Sequence, residues 1–305
     1  MQDISWVALD WGTSNMRAYA IDSAGAVLAS SACGAGMSTL TKDQFEPTLL
    51  STLKPWLRRG SPLPVLACGM VGAAQGWQEA PYRSVPTKPV EANALIHVPV
   101  QSAEISVSII PGLSQPHPED VMRGEETQIA GFLATHPTFD GIICLPGTHS
   151  KWVHVTQGLV RKFTTFMTGE LFSLLSRHSV LRHSMNSESW HEPSFHSGVS
   201  ASLEDPKTLT TRLFGLRPQS LLSGKPPAHS KATLSGYLIG TELAATQSMW
   251  SQNPVVLIGA AQNMALYAQA LESQGVTPTQ VDAAEATIMG MTQLMKQSGH
   301  HPAFA

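Results

Sequence analysis

An apolar strand that runs into a Gly-Thr turn and returns as a second strand occurs twice in this chain. The first copy is "VALDWGTSNMRAYAID", from Val7 to Asp22. The second is "GIICLPGTHSKWVHVTQGLVRKFTTFMTGE", residues 141–170. Gly12-Thr13 and Gly147-Thr148 stand 135 residues apart (147 minus 12), close to half of the 305 residues. Solenoid repeats run at roughly 20 to 50 residues, so a repeat at this scale predicts two similar α/β domains in tandem. The expected division is 1–132 and 133–305.

Neither turn is a plain hairpin tip. A strand reversal needs one Gly or Asn. The first turn has Asp10 at the strand end, Gly12, then Thr13, Ser14 and Asn15, with Arg17 opening the next strand. A carboxylate, a close-approach glycine, hydroxyls and a guanidinium form an inventory for an anion and its cation. The second turn offers Gly147, Thr148, His149 and Lys151, with Leu145 where the first copy has Asp10. Two anion clamps and one metal position, Asp10, follow.

The rest of the chain is read around these clamps. Residues 44–58 are expected as a helix, 64–70 as a buried strand, and "GMVGAAQGWQEAPYRSVP" as a Gly-rich loop holding Trp77, Glu79 and Tyr82. "EISVSIIPG" alternates like a strand and stops at Pro111-Gly112. "PEDVMRGEETQIAGFLAT", residues 118–135, reads as one helix whose acidic first turn suits the positive end of its dipole. Residues 183–206 lose periodicity and read as a loop. "ATLSGYLIGTELAATQSMW" reads as a helix, with Leu234, Leu238, Leu243 and Ala244 among its apolar positions. "PVVLIGAAQNMALYAQALESQGV" reads as strand, Gly turn and helix, and the last helix opens with Asp282 as N-cap and Glu285 three residues on.

Several chemistries are excluded. With 13% charged residues and a net charge of −3, the chain lacks the basic footprint of a nucleic-acid binder. No apolar run approaches the roughly 20 residues of a membrane span, and no basic leader precedes the first strand, so a cytoplasmic protein is expected. Cys33, Cys68 and Cys144 form no C-x-x-C pair and read as reduced core residues. Gly224-Lys225 is followed by Pro226 and makes no P-loop; a dinucleotide G-x-G-x-x-G and a hydrolase G-x-S-x-G are missing. Pro193 lies between His191 and His196, which spoils a helical zinc pair.

Five segments in this order resemble the 2-dehydro-3-deoxygalactonokinase family, within the sugar kinases of the hexokinase, actin and Hsp70 superfamily. They are "LDWGTSNMRAY" (9–19), "GMVGAAQGWQEAPY" (69–82), "DVMRGEETQIAG" (120–131), "LPGTHSKWV" (145–153) and "SGYLIGTELAA" (235–245). The first and fourth suit the superfamily at large; the second and third are particular to the family. The resemblance implies two ribonuclease-H-like domains of the actin-like ATPase fold with an interdomain nucleotide cleft. It also implies ATP and Mg²⁺, and phosphoryl transfer to the C6 hydroxyl of a sugar acid.

On that resemblance, Gly12, Thr13, Ser14 and Arg17 face one side of the triphosphate, and Gly147, Thr148 and Lys151 the other, while Asp10 holds the metal. Glu125 matches the position of the acceptor's base, just after a Gly at a helix start. Helical geometry alone leaves Glu125 and Glu126 open. Gly259, Ala260 and Asn263 match the turn along the nucleoside, although this copy has one Gly followed by two Ala. Trp77, Glu79 and Arg123 are the expected neighbours of the sugar acid. A homodimer stays open. Two rival readings share the clamps: a nucleotide-driven interaction protein and a phosphohydrolase.

Overall fold

The computed structural model describes residues 4–58 and 60–298, and the chain divides into two compact units. Unit 1 is Met1–Phe139, Thr156–Lys162 and Ala283–Ala305; unit 2 is Asp140–Val155 and Phe163–Asp282. This departs from the expected cut at 132/133. The closing helix packs with the N-terminal unit, so unit 1 is discontinuous in sequence.

In unit 1 the strands are β1 (Trp6–Trp11), β2 (Met16–Ile21), β3 (Val27–Cys33), β4 (Leu63–Cys68), β5 (Arg83–Ser84), β6 (Ile96–Val98), β7 (Ile105–Ile109), β8 (Leu113–Pro116) and β9 (Glu119–Met122). Its helices are α1 (Phe45–Leu53) and α2 (Glu125–Thr135). The main sheet has the order β3-β2-β1-β4-β7-β6, and β5-β8-β9 form a small second sheet. Strand β1 runs antiparallel to β2 and parallel to β4. Its period of two sorts its side chains onto both faces. Val7, Leu9 and Trp11 pack with Phe45, Leu49 and Leu53 of α1, a stripe with the i, i+4, i+8 spacing of one helix face. Trp6 and Ala8 join Ala130 of α2 on the other side. With both faces covered, the strand reads as an unbroken apolar run.

The sheet of unit 2 is built on β10 (Gly141–Leu145), β11 (Ser150–Thr156) and β12 (Leu159–Phe166), although the β11–β12 tip, Thr156–Lys162, is grouped with unit 1. There follow α3 (Thr168–Arg177), α4 (Glu192–Glu204), α5 (Leu209–Leu222), α6 (Pro227–Ala245), α7 (Gln247–Trp250), β13 (Val255–Gly259), α8 (Ala261–Glu272) and β14 (Thr279–Asp282). The sheet order is β12-β11-β10-β13-β14. The first strand of each unit therefore has its own meander on one side and a parallel strand on the other, and the sequence repeat is a repeat of topology. Ile142, Cys144 and Trp152 pack on Ile239 and Leu243 of α6 and on Ala268 and Leu271 of α8.

Helix α9 (Ala283–Gln297) belongs to unit 1, where Met291 and Leu294 join Trp6 and Ala8. Its crossing with α2 is made by two glycines. A Cβ on Gly131 would lie 1.8 Å from the Ala286 carbonyl oxygen, and one on Gly290 would lie 2.1 Å from that of Thr127.

Two local expectations are corrected. Residues 118–135 are not one helix: Glu119 and Asp120 lie on β9, and Gly124, at φ 108°, separates that strand from α2. A positive φ suits glycine, which carries no Cβ, and it stops the helix from extending backwards. Residues 183–206 are not a loop: α4 fills most of the stretch, with the His191 side chain accepting from the Ser194 amide and Pro193 in its first turn, where proline fits. Its contact with α6 runs through Gly198, Gly236 and Gly240, whose added Cβ atoms would meet backbone at 2.7, 2.2 and 2.5 Å. A helix that packs on glycines shows little apolar periodicity.

Candidate active site

The register of the two meanders aligns the clamps. Asp10 pairs with Arg17 across β1 and β2, and Leu145 pairs with Lys151 across β10 and β11. Arg17 and Lys151 are thus the same structural position, although the second turn is one residue shorter. Thr13, Ser14 and Thr148 are exposed at their turns. The Gly12 carbonyl accepts from the Met37 amide, and that of Thr13 from the Ser38 amide at 3.0 Å and hydroxyl at 2.8 Å. In the second turn the Thr148 carbonyl accepts from the Glu170 amide at 2.9 Å. His149 Nε2 lies 2.6 Å from Glu170 Oε2.

Each turn is braced by a glycine that the sequence reading missed. A Cβ on Gly36 would lie 2.2 Å from the Ser14 carbonyl carbon, and one on Gly169 would lie 2.2 Å from the Gly147 oxygen. Each stands three residues beyond the end of its meander's third strand, Cys33 or Phe166. That shared offset was the available signal.

In unit 1 the ends of β1 and β4 and the start of α2 converge. Asp10 is beside Cys68 in the parallel register. A Cβ on Gly69, at φ 90°, would come within 3.5 Å of Asp10 Oδ1, and one on Gly124 would lie 3.5 Å from the Gly69 Cα. Arg17 Nη1 is 3.5 Å from Asp10 Oδ2, whose side chain is 30% exposed. Burial pushes the Asp10 carboxyl up, and Arg17 opposes the shift.

The paired glutamates are now distinguishable. Glu126 is fully buried; its Oε2 accepts from the Gly124 amide at 2.7 Å and its Oε1 from the Thr127 hydroxyl at 3.0 Å. Burial, then the neighbouring Glu125 charge, pushes Glu126 up to about 8. Glu125, the first residue of α2, is only partly buried, and its Oε2 accepts from the Arg123 amide at 3.0 Å. Asp10, Glu126 and Glu125 all add to burial in raising the Cys68 thiol, which places them around one point. That thiol is a buried neutral group.

The other expected substrate residues divide. Trp77 stacks on Phe45, with centroids 6.1 Å apart, and meets Trp11 edge-on at 6.2 Å. It packs against the unit 1 core. Glu79 is exposed. The Arg123 guanidinium lies 4.3 Å over the Tyr82 ring and donates from Nη2 to the Ala80 carbonyl at 2.8 Å. Its Nε and Nη1 are buried without a protein partner.

In unit 2 the neighbouring parallel strands β10 and β13 bring Pro146-Gly147 beside Gly259-Ala260. A Cβ on Gly259 would lie 3.3 Å from the Pro146 oxygen. Ligands of open α/β sheets gather at such carboxyl ends of strands. A cavity of about 630 Å³ opens there, lined by Gly147, Thr168, Gly169, Trp190, Asn263 and Tyr267 among others. Its size suits a small ligand. Lys151 is buried, and its Nζ donates to the Thr165 hydroxyl at 2.7 Å.

Two units that share one strand order, apart from the extra edge strand β6 of unit 1, each with a Gly-Thr turn at the carboxyl end of its first strand, make this an actin-like ATPase fold. The sequence profile of the 2-keto-3-deoxy-galactonokinase family matches residues 10–294. The chain belongs to that family. It is 40% identical over 295 residues to a Rhizobium meliloti (strain 1021) protein assigned as a 2-dehydro-3-deoxygalactonokinase, covering 94% of this chain and 95% of that one. It is 32% identical over 292 residues to the Escherichia coli (strain K12) 2-dehydro-3-deoxygalactonokinase, covering 95% and 97%. A crystal structure from Sinorhizobium meliloti assigned to the same activity superposes with a TM-score of 0.90 at 37% identity, over 97% of this chain and all of that one. Among the described residues no helix is long and apolar enough to cross a membrane.

Proposed function

We propose that the chain transfers the γ-phosphoryl group of ATP to the C6 hydroxyl of 2-dehydro-3-deoxy-D-galactonate, in the cytoplasm, as a step of galactonate catabolism. The products are ADP and the 6-phospho sugar acid. Family membership supports the activity, and the contrast between a partly buried Glu125 and a sealed Glu126 supports the mechanism. Phosphoryl transfer asks a protein to hold the phosphate in line, neutralise its charge and orient the acceptor. Glu125 takes the C6 hydroxyl proton as the new O–P bond forms and the bond to the ADP oxygen breaks. Glu125 stands at the first position of α2, where the helix dipole favours a negative charge.

Gly12, Thr13, Ser14 and Arg17, with Gly147, Thr148 and Lys151, take the phosphates through amides, hydroxyls and cations. Gly259, Ala260 and Asn263 flank the nucleoside at the cavity of unit 2. Mg²⁺ binds proteins through one or two carboxylates and completes its shell with phosphate oxygens and water. Asp10 fits that mode: a single, partly exposed carboxylate at a strand end. Mg²⁺ held there supplies charge neutralisation at the phosphates. The Nε and Nη1 nitrogens of Arg123 have no protein partner, and a sugar-acid carboxylate would satisfy them once the Tyr82 ring shifts; Glu79 stands on the same loop as Tyr82, and Trp77 packs that loop on the unit 1 core.

ADP release measured with 2-dehydro-3-deoxygalactonate, its gluconate epimer, glycerol and glucose tests the reading. The highest kcat/KM is expected for the first. A strong preference for glycerol or glucose overturns the substrate, and ADP release that ignores every acceptor overturns the kinase in favour of a phosphohydrolase.

A further inference from the structure

Unit 2 holds a carboxylate that the chemistry above does not use. Glu242, on α6, is 2% exposed, and four donors from three other elements converge on it. The Trp152 indole donates to Oε1 at 2.6 Å. The Ser150 hydroxyl and the Tyr267 hydroxyl each donate to Oε2 at 2.8 Å, and Thr168 donates to the same oxygen. Among the described residues no Lys or Arg pairs with it. A buried carboxylate held only by neutral donors is costly unless all of them aim at it, so its presence dictates where they point.

Those donors hold the second turn from both sides. Ser150 opens β11 two residues after Thr148. Thr168 opens α3 directly before Gly169, whose backbone rests on the Gly147 carbonyl. Tyr267 lies on α8 one turn beyond Asn263, and Thr168 and Tyr267 both line the 630 Å³ cavity. We infer that Glu242 is a positioning residue for ATP: its carboxylate fixes the Gly147-Thr148 turn and the α8 wall of the cavity in one arrangement while touching neither ATP nor sugar acid. The inference rests on reading Gly147-Thr148 as a phosphate turn.

Glu242→Gln is the direct test. The amide keeps the size and one acceptor oxygen, which the Trp152 N–H takes, but its NH₂ cannot accept, so the three hydroxyls must turn or lose their partner. KM for ATP and the Kd for MgADP are expected to rise at least about tenfold, with KM for the sugar acid within about twofold, kcat within about threefold and a wild-type circular dichroism spectrum, the pattern of lost uniform nucleotide binding. Tyr267→Phe removes a single donor and keeps the carboxylate, so it should move the same constants in the same direction by about two- to fivefold even if the Gln variant folds poorly. Gly147→Ala tests the phosphate turn separately and should weaken ATP too. Wild-type ATP constants in Glu242→Gln, or an equal loss in both KM values and kcat, overturn the positioning role. If Gly147→Ala binds ATP normally while Glu242→Gln does not, the phosphate-turn reading falls instead.

Discussion

Gly169 rests its backbone on the carbonyl of Gly147, so close that a methyl group on Gly169 would sit 2.2 Å from that oxygen and 2.9 Å from the Thr148 Cα. Gly36 stands in the same relation to the first turn, with a methyl 2.3 Å from the Thr13 oxygen. Both contacts are with backbone, which cannot swing aside as a side chain does. The turns are braced from behind, so their outer faces keep one shape without a ligand.

Gly36→Ala and Gly169→Ala should therefore displace the turns they brace. Overpacking of this kind costs about 1–3 kcal/mol, and the displaced groups are those proposed to hold phosphate. KM for ATP should rise at least about tenfold in each, with KM for the sugar acid within about threefold. Gly215→Ala is the control: the site lies in α5 with nothing within 4 Å of the added methyl, and a helical Gly-to-Ala change should stabilise by about 0.5–1 kcal/mol. Unchanged ATP kinetics in both braced-turn variants would show that the turns tolerate movement or do not hold phosphate.

How far the sequence could be read follows from whether each signal is local. The turns at Gly12-Thr13 and Gly147-Thr148, the Asp10-to-Leu145 difference and the β13 turn into α8 are legible because strand ends and turn residues announce themselves over a few positions. Gly36, Gly169, Gly131 and Gly290 are not, since the meaning of a packing glycine lies in what rests on it from a distant segment. The return of α9 to unit 1 depends on that contact. Glu242 drew no reading in a helix noted for Leu234, Leu238, Leu243 and Ala244 among its apolar positions, and only the fold brings Ser150, Trp152, Thr168 and Tyr267 around it.

The buried carboxyl of Glu126 makes stability depend on pH in a definite direction. Its folded value of about 8 lies above its ordinary 4.5, so the folded state keeps a proton that the unfolded state releases. The contribution is fully present below about pH 4.5 and is lost as pH rises toward 8. Asp10 and Glu242, also raised by burial, add slopes of the same sign. Glu126→Gln removes one such slope while its amide oxygen can still accept from the Gly124 amide. Urea midpoints from pH 5 to pH 9 should fall less steeply in the variant, which should match or exceed the wild type at pH 8. Parallel profiles would mean that Glu126 titrates alike in both states.

Asp10→Asn should leave a folded protein whose turnover is lower by at least about a hundredfold, the scale of losing a preorganised electrostatic group. Arg17→Ala separates the metal role from simple pairing. If Asp10 only holds Arg17 at 3.5 Å, the two variants should behave alike. If Asp10 carries the cation, Arg17→Ala should lose less turnover and move the acid limb of kcat/KM to higher pH, because burial then raises the Asp10 carboxyl unopposed. Wild-type rates for Asp10→Asn at saturating Mg²⁺ would remove the metal assignment.

Glu125 is the test of mechanism. Its carboxylate accepts from the Arg123 amide at 3.0 Å and stays partly exposed at the start of α2, whereas Glu126 is closed off by Gly124 and Thr127. Glu125→Gln keeps size and hydrogen-bonding reach but loses basicity, so ATP and sugar acid should bind as before. General-base assistance is typically worth about 10²- to 10⁴-fold. The loose transition state of phosphoryl transfer leaves little charge on the nucleophile, which favours the lower half of that range. A fall in kcat of about 10²- to 10³-fold is expected, with both KM values changed by less than about fivefold, as for an interaction made mainly in the transition state. Glu126→Gln should cost less than about tenfold. If the two variants exchanged these outcomes, a proton would have to reach a side chain with no exposed surface, and α2 would have to open during turnover; if neither lost activity, the pair would serve only the N-terminus of the helix.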